Sequence, residues 1–247
     1  MGLSNKIKEG EISKNNFGTE YVMTGYTGYR KVGIKFLDSF GFETIIDSWD
    51  FRRGNVVNPY DKKVYGIGYI GHGPFSNPTH PQARSRWGRM LDRCYSDKKE
   101  FETYKGCEVA TEWHNFQIFA EWYENHIKIF RDKGVAVALD KDLLSGHLRG
   151  KLYSKDTCCL LPCVFNSNVS TPLKTGVVYR EPSYFAHNCR DSIKIINGPF
   201  ETYAVAHNHY IKTRQEIFMS YIDKYEELLS ENIVLKLKDF YTTHLKG

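Results

Sequence analysis

Nowhere in its 247 residues does the chain hold an apolar run of the ~18 residues that a membrane-spanning helix needs, and no apolar signal segment opens it. A membrane is therefore not an expected partner. Strong charge of either sign is missing too, since 34 Lys and Arg against 29 Asp and Glu leave a net +5. That balance permits an anionic partner without requiring one. The six cysteines include no pair of CxxC knuckles, and without a leader a reduced, cytoplasmic setting is expected. A myristoylation signal is not expected after Gly2, because Lys6 stands where Ser or Thr is wanted. What is present is ordinary core material: 41% hydrophobic and 15% aromatic residues, enough to exclude a disordered chain.

Along the chain, residues 1–16 are polar and read as a loose tail. Residues 17–81 read as a small β unit and its exit linker. Tyr21, Met23 and Tyr26 alternate, as do Val32, Ile34 and Phe36, with glycines marking turns. Arg52 and Arg53, followed by Gly54-Asn55 and preceded by Trp49 and Phe51, suit a phosphate backbone. They read equally as solvated surface over an aromatic core.

Helical periodicity is strongest over 82–95, where Trp87, Met90, Leu91 and Cys94 form one stripe. Arg86, Arg89 and Arg93 lie along a neighbouring stripe. A guanidinium is a planar fork of donors matched to phosphate, so this face is a candidate DNA contact; a solubilising face is the alternative. Over 112–130, Trp113, Phe116, Ala120 and Tyr123 keep the helical period and read as core.

Residues 139–166 carry the densest chemistry: an acidic strand with Asp140 and Asp142, a turn through Ser145-Gly146 and Gly150, a second short segment, and a helix-like run ending near Asn166. Such a ββα unit can turn carboxylate and amide oxygens onto a hard cation. A hairpin with solvated aspartates is the plainer reading. Cys158, Cys159 and Cys163 are expected as small packed residues rather than as zinc ligands.

After a linker near Asn166, strands are expected at 184–186 and 193–196, with Asn197-Gly198 as a turn, then a helix over 211–229. Residues 234–245 form a last amphipathic segment, which packs back on its own module or serves a homodimer. The expected fold class is α+β: a small N-terminal β unit, a central ββα core with two helices over 82–170, and a three-stranded sheet plus long helix over 171–247.

The run from Trp87 to Tyr95, then 104–109, Glu112-Trp113-His114-Asn115-Phe116 with Trp122, Leu139 to Asp142, and 153–159 resemble bacteriophage proteins described as HNH endonuclease-like. The resemblance is closest over 82–170 and implies a ββα-metal nuclease core joined to DNA-binding modules of homing endonucleases. It implies Asp140 and Asn166 as ligands of Mg²⁺ or Mn²⁺. Where the family has its general-base His, this chain has Lys141. A lysine of ordinary pKa, about 10.4, is protonated at neutral pH and is no base. His147 is the stand-in candidate. The C-terminal sheet and helix resemble plant ethylene-response-type DNA-binding domains, which read the major groove with the sheet; Lys174, Arg180, Arg190 and Lys194 are the corresponding contacts.

Three functions follow as expectations. The first is double-stranded DNA binding by a phage or mobile-element protein, in the host cytoplasm, on a scaffold that has lost cleavage. The second is a divalent-metal-dependent nicking or homing endonuclease using Asp140 and Asn166, with His147 or Lys141 activating water. The third is an interaction protein aimed at a host defence protein.

Overall fold

The computed structural model describes residues 6–145, 151–165, 176–191 and 193–244. The fold is α+β, with several small antiparallel sheets and five helices among the described residues. Contacts divide it into two compact units, one of residues 1–105 and 109–121, the other of 106–108 and 122–247. The segment 82–170, one module in the sequence reading, is thus shared between the two.

In the first unit, strands β1 (Ile12–Lys14), β2 (Glu20–Gly28), β3 (Lys31–Phe36) and β4 (Glu43–Asp47) form a meander in that order. Period-two alternation puts Tyr21 and Met23 of β2 opposite Phe36 and Ile34 of β3, and all four are buried. A register shift between Met23 and Gly25 breaks the alternation, so Tyr26, expected inside, is 41% exposed. Helix α1 (Ser48–Arg53) is capped by Asp47, whose side chain accepts from the Trp49 amide, and it delivers Phe51 to the same core. The Tyr21 hydroxyl donates to the Phe51 carbonyl at 2.6 Å. Gly54 ends α1 with φ at 66°, and a Cβ there would sit 2.6 Å from the Lys14 carbonyl oxygen. Both the left-handed turn and the close approach call for glycine.

Helix α2 (Pro81–Tyr95) buries Trp87, Met90 and Leu91 as its periodicity predicts, and Ala83 with them, while Cys94, expected on the same stripe, is half-buried. The Trp87 indole donates to the Trp113 carbonyl at 2.7 Å. The second helix starts later than expected, as α3 (Phe116–Asp132), with Trp113 in a separate turn over Thr111–His114. Asn115 explains the break, because its side-chain oxygen accepts the Gln117 amide and restarts the chain as a cap.

Residues 66–81, expected as a free linker, are held by Gln117. Its Nε2 donates to the Ile70 and Phe75 carbonyls at 3.0 and 2.9 Å, and its Oε1 accepts from the Phe75 amide at 3.0 Å. One nine-tenths-buried amide therefore satisfies three loop groups.

The second unit holds β5 (Glu108–Val109) through Glu108, whose amide donates to the Lys151 carbonyl beside β7 (Leu152–Tyr153). It also holds the acidic hairpin, β6 (Val137–Asp140) against β8 (Cys159–Pro162), paired Val137 to Pro162 through Asp140 to Cys159. Residues 163–165 are helical. Then come β9 (Val177–Arg180), β10 (Ser183–Arg190) and β11 (Ile193–Phe200), in sheet order β11-β10-β9, followed by α4 (Tyr203–Tyr225) and α5 (Glu231–His244). Two expectations change here. Asn197-Gly198 is no turn but lies inside β11, where the register shifts opposite Tyr184 and Ala186; the hairpin turns instead at Asp191. Helix α4 starts at Tyr203 rather than 211, because the Thr202 hydroxyl accepts the Val205 amide and caps it there.

One apolar cluster joins the hairpin to the last two helices: Leu143, Cys159, Leu161 and Phe165 pack with Phe218, Tyr221 and Ile222 of α4 and Val234, Leu237 and Tyr241 of α5. Each large side chain so buried contributes about 1.5–3 kcal/mol.

Replacing Gln117 by Leu leaves two loop carbonyls and one amide unpaired, each costing about 1–3 kcal/mol when buried. Urea unfolding is expected to show a loss of about 2–4 kcal/mol. A variant within 0.5 kcal/mol of wild type, an arbitrary limit of about one experimental error, would mean that water replaces the amide.

Candidate functional site

The acidic end of β6 is where the sequence reading put catalysis. Asp140 closes the strand and is only 5% exposed. Its Oδ1 accepts the backbone amides of Asp142 at 3.0 Å and Leu143 at 2.8 Å, so the carboxyl fixes the turn that follows. Asp142, expected on the strand, lies in that turn. Burial pushes the Asp140 carboxyl above the usual carboxylate range, opposed in part by the Leu143 amide.

Lys141 is 7% exposed, and its ammonium donates to Asp142 Oδ1 at 2.6 Å while lying 5.8 Å from the Tyr153 ring centre. The Lys141 carbonyl accepts the Ser145 hydroxyl at 2.6 Å, which ties the turn once more. At this place the described residues put a cation between acids, with Asp140 facing amide donors. Among the described residues no group of three or more His, Cys, Asp or Glu side chains gathers as a metal site. Asn166 and His147, the partners expected for Asp140, lie outside the described residues, as does Lys174. Of the two described carboxylates here, Asp140 Oδ1 is taken by two backbone amides and Asp142 Oδ1 by the Lys141 ammonium, so neither of these oxygens is free to serve a hard cation.

The cysteines are free thiols. Cys158 and Cys159 are buried beside the hairpin, and burial pushes both thiols up, Cys158 to about 12. Cys163 departs from the packed role expected of it and is exposed.

The arginines fall into separate settings. Arg52 and Arg53 are exposed at the end of α1, with the Arg53 guanidinium 5.7 Å from the ring centre of Trp49, itself 60% exposed. On α2, Arg89 is exposed and Arg86 half-buried, while Arg93 lies 5.3 Å from the Tyr104 ring centre. Arg84 was not singled out in the sequence, yet its guanidinium lies 4.8 Å from the Trp87 ring centre, and burial lowers its pKa. Its spacing of three before Trp87 was the available signal.

On the C-terminal sheet, register sorts the candidates. Helix α4 packs against all three strands, and Ala186 and Asn188 are the buried members of β10. Alternation then places Arg180, paired with Ser183, and Lys194, paired with Cys189, on the opposite face, together with Val178 and Ile196. Arg180, Lys194, Val178 and Ile196 are all exposed. Arg190, opposite Ile193 at the hairpin end, has the parity of Asn188 and does not share that face. Asn188 and Arg214, which the sequence reading did not single out, line a cavity together with Tyr241, which it read only as part of an apolar stripe. Arg214 follows Tyr210 by four and precedes Phe218 by four, so a cation on an otherwise apolar stripe was the readable signal.

Comparison with known proteins found no matching family model, curated protein or solved structure.

Because burial raises the Asp140 pKa, the fold disfavours its charged form. This group's stabilising contribution is complete below the unfolded carboxyl value of about 3.9 and is lost as pH rises through the higher folded value. Asp140→Asn keeps an oxygen for both amides without the charge. It is expected to be more stable than wild type at pH 7, with the gap closing toward pH 4. Denaturant unfolding across that range measures it; a variant less stable at pH 7 would show that the carboxylate is the form the turn requires.

Proposed function

We propose that the protein binds double-stranded DNA on an HNH-type scaffold that has lost cleavage, as a phage or mobile-element protein. The observation that carries this reading is the free face of the C-terminal sheet, where Arg180 and Lys194 are exposed beside Val178 and Ile196, with α4 covering the other side. A three-stranded sheet backed by one helix can enter a major groove, with cations at phosphates and small apolar side chains at base edges. Arg52 and Arg53 beside exposed Trp49, and Arg89 on α2, offer further phosphate contacts.

Loss of cleavage is supported by the hairpin. Strands β6 and β8 followed by a helical turn have the ββα order, but Asp140 is occupied with its own turn and Lys141 is bonded to Asp142. One observation favours the alternative of a Mg²⁺- or Mn²⁺-dependent endonuclease: a buried carboxyl with a raised pKa at a strand end is where catalytic acids often stand.

With five cations engaged (Arg52, Arg53, Arg89, Arg180 and Lys194), affinity for a DNA duplex is expected to fall roughly 500-fold between about 50 and 200 mM salt. Removing Arg180 and Lys194 together lowers the log–log salt slope by about 2. Fluorescence anisotropy with a labelled duplex reads both, and binding insensitive to salt would sink the proposal. Supercoiled plasmid with Mg²⁺ or Mn²⁺ separates the two readings: no nicking is expected, and nicking abolished by Asp140→Ala would restore the enzyme.

A further inference from the structure

Within the second unit, α4, α5 and the edge of the sheet formed by β10 and β11 enclose a cavity of about 420 Å³. That is the size of small-ligand sites, which run from roughly 300 to 1,000 Å³. Four of its lining polar atoms, His187 Nε2, Asn188 Nδ2, Arg214 Nε and Tyr241 Oη, are buried and have no hydrogen-bond partner among the described residues. Proteins pair the large majority of such groups, so four orphans on residues around one space point to something that fills it. Asn188 is 8% exposed and Tyr241 3%, which leaves bulk solvent little access to either.

Charge narrows the choice. Arg214 is half-buried and has no ion pair among the described residues; its Nη1 donates to the Tyr210 hydroxyl at 2.7 Å, a neutral partner. The nearby acid, Asp191, is taken by another residue: the Tyr221 hydroxyl donates to its Oδ1 at 3.1 Å and accepts its amide at 3.0 Å. Among the described residues no carboxylate lines the cavity, and Lys194 adds a second cation to its wall. A guanidinium removed from water without a counter-charge is costly, and an incoming anion cancels that cost. Water would satisfy the donors but not the charge. The rest of the wall is largely aromatic, from Tyr210, Phe218, Tyr221 and Tyr241, which offers flat apolar area to a ring.

We propose that this cavity binds a small organic anion with a planar ring, its acidic group held by Arg214 and Asn188 and its ring lying on the tyrosine-rich wall. Tyr241 donates the third hydrogen bond. Burial raises the pKa of its phenol, opposed by Arg214, so the hydroxyl keeps its proton and can donate. Lys194, one of the cations proposed for DNA, also lines this cavity, so the two sites adjoin at that residue.

The test titrates the full chain with nucleoside 5′-monophosphates of the four bases and with salicylate, beside adenosine and inorganic phosphate, by calorimetry and thermal shift. At least one ring-bearing anion is expected to bind and raise Tm, with adenosine and phosphate each at least tenfold weaker, about one hydrogen-bonded charge's worth. Tyr241→Phe removes an orphaned hydroxyl, so the free protein is expected to keep or raise its Tm, while ligand affinity drops about tenfold. Arg214→Lys keeps the charge but loses the fork and weakens binding further. No response to any ring-bearing anion overturns the proposal. So does phosphate binding as tightly as the monophosphates, or affinity unchanged in Tyr241→Phe. None of these readouts involves a duplex, so they are independent of whether the chain binds DNA.

Discussion

Two strands of four residues cannot cover their own apolar side, and much of the second unit follows from that constraint. The β6–β8 hairpin presents Leu161 and Cys159, and the turn and helical residues beside it add Leu143 and Phe165, all buried. Their partners come from α4 and α5, roughly fifty to a hundred positions further along the chain. The long helix is consequently shared: it supplies Phe218 and Ile222 to the hairpin while its N-terminal half, through Ala206 and Tyr210, backs the three-stranded sheet. This double duty explains how Arg214, midway along α4, comes to lie near both the sheet and α5.

The same constraint shapes the acidic turn. With Leu143 drawn fully into the core, the chain after Asp140 must bend sharply, and the two amides freed by the bend need an acceptor. Asp140 supplies it. Its burial, and the upward push on its pKa that follows, are thus tied to local folding. Lys141 completes the arrangement by neutralising Asp142 at the edge of the same bend.

What could be read from sequence was mostly periodic. Trp87, Met90 and Leu91 at helical spacing, and Val32, Ile34 and Phe36 at strand spacing, are buried as read, because an amphipathic repeat needs no knowledge of what it faces. Two of the three C-terminal strands and the helix after them were legible in the same way, while β9 (Val177–Arg180) was not read and residues 199–200 proved to continue β11. Boundaries set by single polar side chains were not. Asn115 split one expected helix, Thr202 lengthened another, and Asn197-Gly198 was absorbed by a bulge because its neighbours already had partners in β10. For the candidate site, spacing could nominate Asp140 and Lys141 but not say where their atoms would be bonded. Asn188, Arg214 and Tyr241 are scattered over 54 positions, and only folding shows that they share a cavity.

Helix α3 was described as an element whose opening residues, through Glu121, belong to one compact unit and whose remainder belongs to the other. For anyone dividing the molecule, this means there is no seam to cut. A break at that border would leave Tyr123, Ile127 and Phe130 on a stub of eleven residues, near the length at which an isolated helix barely holds in water. It would also part Gln117 from the downstream turns that keep it helical. Insertion or recombination there would be read as a broken helix before it was read as a new arrangement of modules.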